Sequence, residues 1–348
     1  MNLYWIWLNE LDGIGPVLSK RLLKAFGNPE NIYRSSIKEL QGIEGIGKNI
    51  AEKIYNNKAT DKAKKILEKC YKGNINILTL NDNFYEDCFK YKYSPILYYY
   101  KGKLNKNDKL ISIIGTRSCS KYGKDITRDI VKQLIQDKST IISGSSKGIE
   151  AIAHTETVKN GGKAMVFLPC GIDCIYPKEH EKLIQAILNI GVAISQYSPG
   201  EKVKKNHLIQ KNRRMMEWSD EVIITEAPIN SSSLSTVEYA KDINKIVHAV
   251  PHNLYSKEGA GTNKLIHEGK ASMFFFKERS RKEEIETEDR INFSSIQQEI
   301  LEFLKFKEYY IEELKQKLDL DESVLLTELF SLEMSGRVKI KGGLVSMY

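Results

Sequence analysis

The chain has 348 residues, 41% of them hydrophobic, which is enough for two or three packed domains, while no apolar run reaches membrane-spanning length. Its 53 basic and 45 acidic side chains leave a formal charge of +8, a mild lean toward an anionic partner. Five cysteines without a CxxC pair, and a start without a basic leader, argue against a disulfide framework, a metal site and secretion, and predict a cytoplasmic protein with no membrane attachment.

Residues 1–70 predict a helical domain with an internal echo. Leu11-Asp12-Gly13-Ile14-Gly15-Pro16 precedes an apolar helical pattern over 17–26, and Ile43-Glu44-Gly45-Ile46-Gly47-Lys48 precedes another over 50–55. A Gly-Ile-Gly turn between short helices resembles the helix-hairpin-helix motif, whose hairpin amides hold a phosphate backbone without reading sequence. Lys20, Arg21, Lys24 and Lys48 stand where they would assist; equally, the glycines would serve a small helical bundle as tight turns.

From Ile75 the pattern changes. A strand over 75–80 is followed by the tyrosine-rich run 94–102, which predicts a strand flanking a sheet, with base stacking as the alternative. Between 110 and 276, strand-like runs at 110–114, 140–142, 163–168, 192–195, 221–225, 245–250 and 272–276 alternate with helical runs near 122–137, 149–159, 179–189, 208–218, 233–243 and 262–268. That alternation predicts right-handed βαβ units and an extended Rossmann-like, doubly wound parallel α/β sheet, with residues 71–276 as the domain. Residues 277–290 hold 11 charged side chains in 14 positions and predict an exposed linker. Residues 291–348 give three amphipathic helical patterns (294–306, 309–318, 322–334) and a β-rich end around Gly342-Gly343, the outline of a winged helix. Its third helix carries Asp321, Glu322, Glu328 and Glu333, so phosphates would be repelled there and a protein partner is favoured.

Two turns stand out in the central domain. Gly115-Thr116-Arg117 follows the first parallel strand, and Ser143-Gly144 through Gly148-Ile149-Glu150 follows the second. Strand carboxyl ends are where open α/β sheets bind ligands, and glycine turns before helices suit an anion. No GxGxxG follows the first sheet strand and no GxxxxGK[ST] occurs, so dinucleotide and Walker-type sites lack their phosphate loops. The run 200–214 holds six basic residues against one acid, including Lys204, Lys205, Lys211 and Arg213, and follows the fourth of these strands. Too long for one phosphate, it suits a polymer. His154 is expected to orient a loop rather than act as a base, Glu150 to sit at a helix dipole, and Asp173 with Tyr176-Pro177 to close a rigid turn.

The same residues resemble the DNA-processing protein A (DprA/Smf) family. The match comprises Gly115-Thr116-Arg117, Tyr122-Gly123, Ser143-Gly144 to Ala153-His154, Cys170-Gly171-Ile172-Asp173 to Tyr176-Pro177, Lys211-Asn212-Arg213, Glu226-Ala227, Ser231 to Thr236, Ala249-Val250-Pro251 and Gly261-Thr262-Asn263. Departures are Glu150 for Asp, Pro169 for Gly, Gln196 and Ser198 in the usual S-E-Y-P-P-G, Leu208-Ile209 in place of F-P, and Ser232 for Gly. Leu208 therefore lacks the family's aromatic at that position. The resemblance implies a non-enzymatic, cofactor-free homodimer that binds single-stranded DNA, protects it and loads RecA recombinase in natural transformation. Its DNA-binding set would be Gly115, Thr116, Arg117, Ser143, Gly144, Lys204, Lys205, Lys211, Asn212 and Arg213, with Asn263 bracing the pocket. The competing reading is a nucleotide-binding Rossmann-like hydrolase of phosphoribohydrolase type, which needs a carboxylate at the glycine turns, Glu150 or Glu226.

Overall fold

The computed structural model describes residues 2–82, 86–104, 108–276, 294–305, 307–334 and 337–347. It divides into two compact units, Met1–Phe276 and Lys277–Tyr348. The predicted linker 277–290 lies outside the described residues.

The first unit opens with six helices, α1 Asn2–Asn9, α2 Pro16–Phe26, α3 Pro29–Arg34, α4 Ile37–Gln41, α5 Lys48–Asn56 and α6 Asp61–Lys72. The two Gly-Ile-Gly turns share one geometry: Gly13 and Gly45 take φ of +81° and +84°, and Gly15 and Gly47 are extended N-caps of α2 and α5. Then come β1 Asn76–Thr79, α7 Glu86–Phe89, β2 Leu97–Gly102, β3 Leu110–Ile114, α8 Lys121–Gln136, β4 Thr140–Gly144, α9 Ile149–Lys159, β5 Lys163–Phe167, α10 Glu181–Ile190, β6 Val192–Ser195, α11 Lys205–Trp218, β7 Glu221–Ile224, α12 Ser232–Asp242, β8 Ile246–Ala249, α13 Ala260–His267 and β9 Ser272–Met273.

These strands form one sheet in the order β1-β2-β6-β5-β4-β3-β7-β8-β9. The seven strands from β6 to β9 pair in parallel, and β2 then β1 extend that sheet in antiparallel fashion. Successive strand residues point to opposite faces, and both faces are apolar: Ile111, Ile113, Ile141 and Ile223 meet α8 and α9, while Ile114, Ile142, Val222 and Ile224 meet α11 and α12. Burial on both faces is why the strands read as unbroken runs of isoleucine and valine. Tyr98 and Tyr99 are fully buried, Tyr98 edge-on to Trp218, so the tyrosine run packs in the core. The expected strand 272–276 shortens to two residues at the sheet edge, where no further strand pairs with it among the described residues.

No break in packing occurs at residue 70. One apolar cluster runs from Trp5, Leu22 and Ile54 through Cys70 to Tyr99, Val166 and Ile187, so the N-terminal helices share a core with the sheet. Lys20, expected to be available to a phosphate, instead donates to the carbonyls of Phe89 and Tyr91 and to Ser94 Oγ, each at 2.6 Å. Burial lowers its ammonium to about 8, a displacement that Glu217 opposes and Arg214 reinforces.

The second unit holds α14 Ser295–Leu304, β10 Tyr309–Tyr310, α15 Ile311–Leu318, α16 Glu322–Met334, β11 Val338–Lys341 and β12 Leu344–Met347. Leu304, Leu314, Leu325, Leu329, Val338 and Val345 form its core. The helix expected from 309 begins two residues later, because Tyr309 and Tyr310 pair with Val345 and Leu344 to make a three-stranded sheet. Among the described residues no helix is long and apolar enough to cross a membrane.

Candidate nucleic-acid interface

Strand order reverses between β3 and β7, which are direct neighbours although β4, β5 and β6 separate them in sequence. The turns leaving these two strands diverge and open a cleft of about 510 Å³. Its lining includes Gly115-Thr116-Arg117 after β3, Ser146 and Glu150 after β4, Lys205, Leu208 and Lys211-Asn212-Arg213 on α11, and Ser231-Ser232-Ser233 with Tyr239 on α12.

The turn after β3 is fixed from several sides. Thr116 N–H donates to Glu226 O at 2.8 Å, Ile149 N–H donates to Thr116 O at 3.2 Å, and Ser233 Oγ donates to Gly115 O at 2.9 Å. Gly148, at φ +77°, lets α9 start against this turn; a Cβ there would stand 2.4 Å from the carbonyl oxygens of Thr116 and Arg117. Glu226 is fully buried and accepts from Ser120 N–H at 2.8 Å and from Ser120 Oγ, holding the start of α8. It braces the scaffold and does not line the cleft.

Below the second turn the arrangement differs from an open anion nest. Glu150 accepts from Ser146 N–H at 2.8 Å and from Lys211 Nζ at 3.1 Å on both oxygens. Burial alone would raise the Glu150 carboxyl, but the Lys211 ammonium and the Ser146 N–H outweigh it and hold it below the ordinary carboxylate range. The pair is nearly solvent-free, with side-chain exposures of 2% for Lys211 and 9% for Glu150. Gly144 lies against it: a Cβ would meet Lys211 Nζ at 1.8 Å and Glu150 Oε2 at 2.4 Å. Ser143 is also buried, donating its hydroxyl to Ile113 O at 2.7 Å. Ser143 and Gly144 thus lie beneath the cleft, and Lys211 forms its ion-paired floor. Buried His154 has its imidazole pushed down to about 4 by burial, so it is uncharged near neutral pH, and it lies outside the cleft lining.

The six basic residues of the run 202–214 separate in three dimensions. Lys204 is exposed and pairs with Glu201 at 3.1 Å, outside the cleft lining. Arg214 is buried, 3.0 Å from Glu217, and donates to Tyr93 O at 2.6 Å. Lys202 and Lys205 are exposed, and Arg213 lies over the Tyr239 ring at 5.2 Å from its centroid. Among the described residues, Arg117, Lys205 and Arg213 all line the cleft without forming an ion pair. The neighbouring Asn212 donates to Thr236 Oγ1 at 3.1 Å, fixing α11 to α12. Of the ten residues expected from sequence, Gly115, Thr116, Arg117, Lys205, Lys211, Asn212 and Arg213 come together, and Ser143, Gly144 and Lys204 do not line the wall.

Three cations, serine hydroxyls and one aromatic ring around a single cleft suit a phosphodiester with an attached base. Sequence reasoning gave no site role to Ser231–Ser233 or Tyr239. The available signal was the serine run at the start of the helix after β7, the other strand of the switch point. Asn263 sits outside the wall and brackets His252, accepting its N–H at 2.9 Å and donating to its carbonyl at 3.0 Å.

Known proteins match over the same regions. A family model described as DNA recombination-mediator protein A covers residues 76–284, and one for a SAM-like helix-hairpin-helix tandem covers 8–57. The protein Smf of Synechocystis is 31% identical over 272 residues, spanning 76% of this chain and 68% of the relative. The crystal structure of DNA processing protein A from Streptococcus pneumoniae superposes with a TM-score of 0.69 at 26% identity, covering 79% of this chain and 95% of that one. A structure of DNA processing protein A from Helicobacter pylori, reported for its single-stranded DNA binding mode, gives 0.52 at 27% identity over 62% of this chain and 96% of that one.

Proposed function

Because this chain belongs to the DNA recombination-mediator protein A (DprA/Smf) family, we propose that it binds single-stranded DNA along the β3/β7 cleft. In this reading it protects incoming strands and hands them to RecA recombinase in the cytoplasm during transformation or recombination. The observation that carries it is the convergence of Arg117, Lys205 and Arg213, none of them ion-paired among the described residues, on a cleft at the sheet's switch point. Cations that track a backbone, with a ring beside them, give sequence-tolerant binding.

The phosphoribohydrolase alternative is less well supported. Glu150 is the only carboxylate lining the cleft among the described residues, and Lys211 and Ser146 occupy it. We further propose that residues 1–70 and 71–276, which share one core, carry different roles, that 277–290 links them to 291–348, and that the last is a winged helix facing a protein partner. A homodimer is supported by the edge at β9, which no further strand covers among the described residues and where Met273 and Phe275 are exposed.

The test is a titration of the full chain with a labelled oligo-dT at two salt concentrations. For a single strand, every phosphate neutralised by the protein adds about 0.7 to the slope of log K against log salt. Arg117→Ala combined with Lys205→Ala is therefore expected to weaken binding and lower that slope by about 1.4. Unchanged affinity and slope would remove the assignment.

A further inference from the structure

A second cavity, of about 430 Å³, lies between α8 and α9 on the other side of the Arg117 turn. Its lining includes four basic side chains, Arg117, Lys124, Arg128 and Lys159, and one carboxylate, Glu156. Glu156 is buried and turned to its own helix end, where it accepts from Asn160 Nδ2 at 2.9 Å. Arg128 shares its charge with Asp125 at 2.8 Å. Lys124 and Lys159 are exposed and form no ion pair among the described residues. Thr155 and Ser118 add hydroxyls, and Cys119 is half-buried in the wall.

Lysines spread over a convex helix surface are solvated and mark nothing. Here Lys124 and Lys159 line one concavity together with Arg117, and its one lining carboxylate, Glu156, is buried and already engaged by Asn160, so an incoming anion relieves positive charge that the cavity leaves unmatched. Arg117 lines both this cavity and the β3/β7 cleft. A phosphate seated on its guanidinium would have neighbours along its strand on either side of the turn.

We infer that the α8/α9 cavity is a second phosphodiester subsite, in which the single strand leaving the β3/β7 cleft continues past Arg117 onto Lys124 and Lys159. This rests on the reading of the cleft as a single-stranded DNA site. It predicts a footprint longer than the cleft, with phosphate pairings that only a longer strand makes.

The experiment compares the full-length wild-type chain with the Lys124→Ala/Lys159→Ala variant. It uses an oligo-dT just long enough to fill the cleft and one twice that length. With two single-strand phosphate pairings removed, the loss of long-strand affinity between 50 and 200 mM salt should be about sevenfold smaller than in wild type. The short strand should bind both proteins alike. Cys119 supplies an independent readout: the long strand should slow its alkylation, measured by peptide mass spectrometry, and the short strand should not. A variant whose long-strand salt dependence matches wild type, or a Cys119 labelled equally fast with and without the long strand, overturns the subsite while leaving the cleft intact. Wild-type protein that binds neither strand removes the cleft reading and this one with it.

Discussion

Replacing Lys211 by methionine tests the floor of the cleft. The substitution keeps the stem volume but leaves the Glu150 carboxylate with Ser146 as its remaining donor among the described residues. Breaking one side of a buried ion pair costs about 3–5 kcal/mol, because the remaining charge stays desolvated. For a unit of this size that lowers Tm by roughly 10 °C. Glu150→Gln leaves the buried Lys211 ammonium without its counter-charge and should cost a similar amount, and the double variant should recover part of the loss. The pH dependence carries a definite sign. In the wild type the Glu150 carboxyl sits below its unfolded value, so its contribution is complete above that value and is lost as pH falls through the lower folded one. In Lys211→Met burial goes unopposed by an ammonium and the carboxyl rises, so that variant regains stability once acid protonates it. The gap between wild type and variant in urea denaturation should therefore be widest near pH 7 and narrow toward pH 4. Single variants as stable as wild type, or a gap that is flat with pH, would refute the account of Glu150 as a structural anion.

Gly144→Ala should damage the same floor, because its methyl would occupy the position of Lys211 Nζ; reduced stability by thermal melting with unchanged far-UV dichroism is expected. Gly148→Ala combines a positive φ with close approach to two carbonyls and should destabilise by about 1–3 kcal/mol, read from denaturant midpoints. Lys20→Met leaves the carbonyls of Phe89 and Tyr91 without this donor and should cost about 1–3 kcal/mol while single-strand affinity in a titration stays at the wild-type level. A loss of affinity without a loss of stability would instead return Lys20 to phosphate binding. Tyr239→Phe removes the bond to Glu217 and keeps the ring under Arg213, so affinity should hold, whereas Tyr239→Ala should weaken binding.

The sheet was legible because parallel strands buried on both faces carry uninterrupted β-branched runs, and helices of fixed length must intervene. The two strand-end turns were legible because glycine and small polar residues break those runs. The six basic residues between 202 and 214 were not correctly legible as one surface. Adjacent positions on α11 point in different directions, so Lys205 and Arg213 reach the cleft, Lys211 its floor and Arg214 the core beneath Tyr93. The doubled Gly-Ile-Gly turn was visible as a repeat, but one of its expected cations, Lys20, is spent holding the 89–94 segment.

Sequence alone therefore determined most of the strands and helices, their parallel winding and the sheet edge at which a ligand enters such a fold. Those features follow from local periodicity and from chain connectivity. Which charges remain available to that ligand was decided only in three dimensions. An ion pair such as Glu150–Lys211 joins residues 61 positions apart and forms only after α9 and α11 have packed against the same sheet end. Strand order placed Arg117 and the serine turn together at the switch point, and burial then separated the cations that face the cleft from those that brace the fold.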